Sequence, residues 1–344
     1  MADGPKPNPG DEALRDRLRQ MILGFQVSQC LHVAAKLGIA DLLKTGPMSG
    51  RELAVATRTE PAALDRFLRA LSSHGVLTVD SEGRFCSTPV ANFLRSGETH
   101  SLWAAAIYWG ERWIAEPWGN LLYSLRTGAP AFDVLYDSSF FDFLARTPEA
   151  GQVFDRFIAE GLHMRPHIVV NACDFSQANV IADIGGGRGA TLARILKANP
   201  AARGILFDRA HVIEGARSHL EDAGVINRCS IVPGDFFETV PSGADTYLLS
   251  QIIHDWSDKP AVAILKNCRR AMDLNGKLLL VERVLDPLRP EPETALLDLT
   301  MLVVLGGRER TAEEYHMLLT NAHLKLSRII PTTSPFSIIE ATPV

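Results

Sequence analysis

Val180-Ile181-Ala182-Asp183-Ile184-Gly185-Gly186-Gly187-Arg188-Gly189 is an apolar run that ends in an acid and then in almost nothing but glycine. The next residues, Ala190-Thr191-Leu192-Ala193-Arg194-Ile195-Leu196, have helical spacing, so the stretch reads as strand, tight turn and helix. Such a turn sets a helix N-terminus against a ligand and lets backbone N–H groups close on it. Gly185-x-Gly187-x-x-Ala190 also satisfies the dinucleotide fingerprint, so a nicotinamide or flavin enzyme stands as a rival reading. No Gly-Lys-Ser/Thr comes after it, which sets a phosphate-gripping P-loop aside.

Downstream, short apolar runs over 179–184, 203–207, 229–232, 245–250 and 277–283 alternate with helical segments such as 260–273. That βαβ rhythm predicts an α/β fold with a doubly wound, mostly parallel sheet. Two final runs, Lys325 to Ile330 and Phe336 to Ala341, are joined by so few residues that only an antiparallel pair can form. They complete a seven-stranded sheet.

Upstream, apolar residues from Leu14 to Leu37 recur at helical spacing, giving one or two amphipathic helices between about Asp11 and Leu43. Met48-Ser49-Gly50-Arg51-Glu52 opens a short capped helix, and Glu60-Pro61-Ala62 starts another that runs through Leu71. The runs 76–80 and 84–88 flank a turn at Ser81-Glu82-Gly83 and read as a hairpin. Helix, helix, hairpin is the outline of a winged helix, whose second helix can enter a DNA groove. Here that helix offers Arg66 and Arg69 but also Leu64, Phe67 and Leu68, in a chain of net charge -5. A packing or dimerisation module is the better reading, because DNA needs a concentrated basic face.

The predicted organisation is a frayed, disordered tail over 1–10, a winged-helix-like dimerisation domain over 11–98, a helical linker and substrate-pocket region over 99–173, and a catalytic domain over 174–344. The third of these is rich in aromatics, among them Trp103, Tyr108, Trp113, Phe132, Phe141 and Phe157. Most belong to the core, and some suit a pocket for a flat organic ligand. At 344 residues the chain has ample length for two cores. Its five cysteines are scattered without C-x-x-C spacing, which suggests neither a disulfide framework nor a zinc site and points to the cytoplasm. The polar, Pro/Gly-rich start fits the expectation of a frayed tail better than that of a signal peptide, and no apolar run approaches bilayer-spanning length.

In open α/β sheets ligands bind at the carboxyl ends of the strands, so the residues just past each run are decisive. The first run ends in Asp183 and the glycine turn, and the second in Asp208, placed to grip ribose hydroxyls. The third leads to Gly234-Asp235-Phe236-Phe237, a carboxylate acceptor with a ring for stacking. The fourth leads to Ser250 and His254-Asp255-Trp256, and the fifth ends in Glu282. Each alone has a plain alternative as a cap, a turn former or core. Five in succession favour one shared site.

Taken with Gly306-Gly307-Arg308-Glu309-Arg310-Thr311, these residues resemble the S-adenosylmethionine-dependent small-molecule O-methyltransferases, the plant caffeate type and its bacterial relatives in secondary metabolism and antibiotic biosynthesis. The resemblance spans nearly the whole chain. It implies a Rossmann-like catalytic domain, a homodimer formed through the N-terminal domain, and S-adenosyl-L-methionine as cofactor, with S-adenosyl-L-homocysteine as product. It also implies that Asp183 belongs to the cofactor site, Gly185 and Gly187 lie against the cofactor's methionine part, Asp208 takes the ribose, Asp235 and Phe236 hold the adenine, and Ser250 reaches the cofactor with its hydroxyl. His254 matches the family's general base, with Glu282 and Glu309 as the two acids that flank and orient it. Asp255, Trp256, Asp298 and Met301 match positions that face an aromatic acceptor. Arg209-Ala210 stands where relatives commonly have Leu-Pro, and Gln251 where many have a larger residue.

Methyl transfer to a phenol needs alignment and a base. A phenol has a pKa of about 10, and an imidazole of about 6.5 can take its proton. This chemistry demands no metal, no nucleic acid and no membrane. Rival readings are a cofactor-retaining hydroxylase, decarboxylase or N-methyltransferase, and a winged-helix regulator that senses a ligand; the acid-flanked His254 speaks against both.

Overall fold

The computed structural model describes residues 9–98, 100–161 and 165–344. Of the tail expected over 1–10, residues 1–8 lie outside the described residues, and the first helix, Pro9–Lys36, begins immediately after them. The chain divides into two compact units, one holding the residues up to 115 with 149–161, the other 116–148 with the chain from 165 onward. The stretch 99–173 therefore contributes helices to both, and its aromatics show why. Tyr108 stacks flat on Phe157 of helix Pro148–Gly161, with ring centroids 4.2 Å apart, and meets Trp113 edge-on. Phe132, Tyr136, Phe140 and Phe143 instead make their own cluster within the second unit.

In the first unit, helix Gly50–Thr57 starts with a capping box in which Ser49 and Glu52 satisfy each other's backbone N–H. Helix Pro61–Ser73 comes next, capped by the Glu60 carboxylate, and turns Leu64, Leu68 and Leu71 into a core shared with Leu53, Val76 and Phe85. Strands β1 (Leu77–Val79) and β2 (Phe85–Ser87) pair antiparallel. Arg69 of the second helix is engaged by Asp65 one turn earlier. Gly110 lets helix Trp103–Gly110 approach the first helix, since a Cβ there would fall 2.2 Å from the His32 ring.

The second unit is built on a sheet of order β5-β4-β3-β6-β7-β10-β9, where β3 is Val180–Ile184, β4 Arg203–Asp208, β5 Cys229–Pro233, β6 Thr246–Ser250, β7 Lys277–Leu285, β9 Leu324–Pro331 and β10 Phe336–Pro343. The first five run parallel, and β10 is antiparallel to both β7 and β9. The strands are runs of Val, Ile and Leu because helices cover both faces and no side is left for polar residues. The chain steps outward from β3 to β4 and β5, then returns to the other side of β3 at β6, so the carboxyl ends of β3 and β6 diverge into a crevice.

One strand is longer than the apolar run suggests. β7 continues to Leu285 because Val284 and Leu285 pair with the two-residue strand β8 (Arg310–Thr311). Glu282 therefore lies inside a strand, fully buried, and not at a strand end.

Candidate active site

The glycine turn spends its N–H groups on the protein itself. Gly185 and Gly186 donate to the Phe207 carbonyl, Gly187 donates to Asp208 Oδ2 at 2.9 Å, and Gly189 donates to the Gly186 carbonyl. This corrects the expectation that these amides close on a ligand. The glycines serve close approach: a Cβ at Gly185 would meet Ile252 Cδ1 at 2.5 Å, and one at Gly186 would meet Asp183 and Leu206 at 2.6 Å. Gly185, Gly187 and Gly189 all have positive φ, the region open to glycine at no steric penalty.

Asp208 anchors the turn, accepting from Gly187 through one oxygen and from its neighbour Arg209 through the other. Asp235 accepts from the Phe237 amide at 2.8 Å, and the Arg209 guanidinium stands 3.9 Å from its other oxygen and 4.0 Å from Asp142. The Phe236 and Phe237 carbonyls both accept from the buried Asn267 amide, a residue that carries no signal in the sequence beyond helical spacing. Phe237 meets Trp256 edge-on at 4.7 Å, and Phe141 lies 6.1 Å from the same indole. Asp183 is fully buried, and neither oxygen makes a well-formed hydrogen bond among the described residues; burial, then the nearby Asp208, push its pKa to about 7 against the opposing Leu192 backbone N–H.

The histidine loop lies at the end of β6. His254 Nδ1 is 2.7 Å from Glu309 Oε1, and Nε2 is 3.2 Å from Asp255 Oδ1. Asp255, expected to face an acceptor, thus also occupies the second nitrogen of the imidazole. Glu282, expected to flank the ring, makes its hydrogen bonds elsewhere: it accepts from Ile252 N, Ile253 N and Gln251 Nε2. Its carboxylate still lies within 4.8 Å of both His254 and Glu309, a spacing that a metal ion could also use. Gln251 holds positive φ at the strand end, the bend that brings its amide onto Glu282. Burial works to lower the His254 pKa, but Asp255, Glu309 and Glu282 more than reverse it, to about 9. Burial raises Glu282 to about 7, with Glu309 pushing the same way and His254 opposing.

Asp298 accepts the Glu309 backbone N–H at 2.8 Å, so its place is behind Glu309. Met301 is buried at the start of a π-helical turn, Met301–Leu305. Residues 306–311 return to the loop, with Arg308 N donating to the His254 carbonyl.

An O-methyltransferase domain model matches residues 118–325, and an O-methyltransferase dimerisation domain model matches residues 19–97. The chain belongs to the O-methyltransferase family. It is 45% identical over 339 residues to a phenazine O-methyltransferase of Lysobacter antibioticus, covering 97% of this chain and 98% of that one. It is 32% identical over 323 residues to the phenazine-1-carboxylate N-methyltransferase of Pseudomonas aeruginosa, covering 94% and 96%. Among solved structures it resembles an O-methyltransferase from neocarzinostatin biosynthesis in complex with S-adenosylmethionine and 2-hydroxy-5-methyl naphthoic acid, with TM-score 0.82, 31% identity and coverage of 92% and 96%. The protein is accordingly a methyl-transferring enzyme whose homologues use S-adenosylmethionine on oxygen or nitrogen in antibiotic and phenazine biosynthesis.

The residues present fit the methyl donor of this family. Ser250 Oγ and Trp256 Nε1 are buried without a hydrogen-bond partner among the described residues, as is the Asp183 carboxylate. With Asp208, which ends β4, and Asp235 and Phe236, which follow β5, these groups offer donors and acceptors suited to a cationic molecule carrying hydroxyls and a flat base.

Proposed function

We propose that this O-methyltransferase methylates a hydroxyl of an aromatic small molecule in secondary metabolism, with His254 as general base. When bound, S-adenosylmethionine supplies an electrophilic sulfonium methyl; the chain supplies alignment and a proton acceptor. Asp183 and the turn at Gly185 and Gly187 would face its methionine part, Asp208 its ribose, Asp235 and Phe236 its adenine, and Ser250 its near side. The observation that carries the reading is the pairing of His254 with Glu309. A carboxylate on Nδ1 directs Nε2 toward the acceptor and stabilises the imidazolium left after it takes the hydroxyl proton. Trp256, Asp255, Asp298 and Met301 would line the acceptor's approach, with Asp255 on the Nε2 side of the ring and Asp298 also holding the Glu309 backbone.

A phenazine or naphthoate-like acceptor suits the aromatic wall formed by Phe141, Phe237 and Trp256. The N-methyltransferase relative favours a second reading, transfer to a ring nitrogen, but a ring nitrogen without a hydrogen has no proton for His254 to take. The reading calls for no metal, since the methyl donor brings its own electrophile and His254 takes the proton.

Incubating the enzyme with S-adenosylmethionine and a library of phenols, hydroxyphenazines and hydroxynaphthoates, with mass spectrometry of the mixture, should find products heavier by one methyl, with NMR placing it on oxygen. His254→Ala should bind the cofactor but lose about a hundred- to ten-thousandfold in turnover. Full turnover in that variant would sink the base assignment.

A further inference from the structure

Arg310 is fully buried, the largest such side chain among the described residues, and it takes no part in the proton transfer assigned to His254. A buried guanidinium loses several kcal/mol of hydration unless each donor is met, and here each is. Nε donates to Asp258 Oδ1 at 3.1 Å, and Nη2 donates to the same oxygen at 2.8 Å and to the Trp256 carbonyl at 2.7 Å. Nη1 donates to the Ile253 carbonyl at 3.1 Å and to the Arg308 carbonyl at 3.3 Å. Two of these acceptors, Ile253 and Trp256, bracket the dipeptide His254-Asp255.

The rest of the loop is held in the same manner. Its amides, Ile252 and Ile253, donate to Glu282 of β7. The His254 carbonyl accepts from Arg308 N, an approach possible because residue 307 is glycine: a Cβ there would lie 2.1 Å from that carbonyl oxygen. Arg310 also comes directly after Glu309, so the carboxylate on Nδ1 and the fork that grips the histidine loop sit on adjacent residues of one short segment.

We infer that Arg310 is a positioning residue for the reaction: its guanidinium fixes the Ile253–Trp256 loop against the Glu309 segment, so that the His254–Glu309 pair keeps one geometry. This rests on the reading of His254 as base. A planar fork does this where a lysine cannot, because a single ammonium cannot meet acceptors spread over three backbone carbonyls and a carboxylate. A misplacement of the base by about 1 Å costs about a hundredfold in rate.

Arg310→Lys keeps the charge and loses the fork. Asp258→Asn loosens the guanidinium from the exposed side, where Asp258 is more than half accessible, and so leaves the core intact. In both variants calorimetry should show cofactor affinity within about twofold of the parent, while kcat falls, by about a hundredfold in Arg310→Lys and less in Asp258→Asn, with the midpoint of the pH–rate profile displaced and KM nearly unchanged. If Arg310→Lys does not fold, Asp258→Asn decides. Parental kcat and pH profile in the folded variants overturn the inference, as does a parallel loss of cofactor affinity, thermal stability and kcat, which marks a merely structural residue. His254→Ala run beside them separates the two levels: turnover surviving there removes the base and this role together, whereas turnover lost there but unchanged in both other variants removes only the role of Arg310.

Discussion

His254 Nδ1 and Glu309 Oε1 stand 2.7 Å apart in a fully enclosed pair drawn from segments 55 residues apart in the chain. The Glu309 backbone is itself held by Asp298, whose carboxylate accepts its N–H at 2.8 Å. The nitrogen left to react is Nε2, which Asp255 faces at 3.2 Å. Acids on both sides keep the proton on the imidazole, so the ligand-free site rests as an imidazolium, with the His254 pKa at about 9.

A base must be neutral to accept a proton, so kcat/KM should rise with pH through a midpoint near 9, well above the unperturbed imidazole value of about 6.5, and level off only above it. Asp255→Asn removes an anion that raises this pKa, and its profile should therefore level off at lower pH. A profile that peaks near 6.5 in the parent, or does not move in the variant, would count against the paired-acid geometry.

Asp183 ties stability to pH in the opposite sense. Its folded pKa of about 7 lies above the ordinary aspartate value of 3.8, so folding favours the protonated acid. The stability this contributes is complete below about 4 and is lost as pH rises through 7. Asp183→Asn has nothing to ionise and should exceed the ligand-free parent at about pH 8 by on the order of a few kcal/mol, with little difference at about pH 4. It should also bind S-adenosylmethionine more weakly, since the buried anion is proposed to face the cofactor. Thermal unfolding at the two pH values and calorimetry check both halves.

The glycine turn separates conformational strain from close approach. Gly187→Ala meets only the cost of its positive φ, about 1–3 kcal/mol, because a Cβ there has open space. Gly185→Ala carries the same strain and also drives its methyl into Ile252, whose amide holds Glu282. Turnover should fall further in Gly185→Ala than in Gly187→Ala, and equal losses would contradict this.

The first helix leaves Leu14, Leu18, Met21, Ile22 and Phe25 exposed at the spacing of one helix face. Within a unit that matches a dimerisation domain over residues 19–97, that stripe is proposed as the homodimer surface. Leu18→Asp with Ile22→Asp should halve the mass measured by light scattering while leaving circular dichroism unchanged. A parental mass in the double variant would place the interface elsewhere.

Much of the fold was legible because its signals are local. The apolar run and glycines at 180–189 specify strand, turn and helix within one segment, and the short link before Phe336 permits only an antiparallel return. Ser49 and Glu52 announce their helix from three positions apart. Periodicity could not divide the aromatic stretch 99–173 between two units, because Tyr108 and Phe132 read alike until a partner ring is chosen.

The site shows the same boundary. Strand ends singled out His254 and Glu282, and the resemblance to the methyltransferase family added Glu309. The sequence by itself thus determined the α/β sheet, the crevice at its strand ends and the polar residues available there. Only the tertiary structure decided that Glu309 takes Nδ1, that Asp255 takes Nε2, that Glu282 holds backbone amides from within a strand, and that Arg310 is buried among the carbonyls around His254. The physical reason is distance along the chain. Apart from the contact between the neighbours His254 and Asp255, these hydrogen bonds join residues 29 to 57 positions apart, leave no local pattern, and form only once the sheet has set the strand ends side by side.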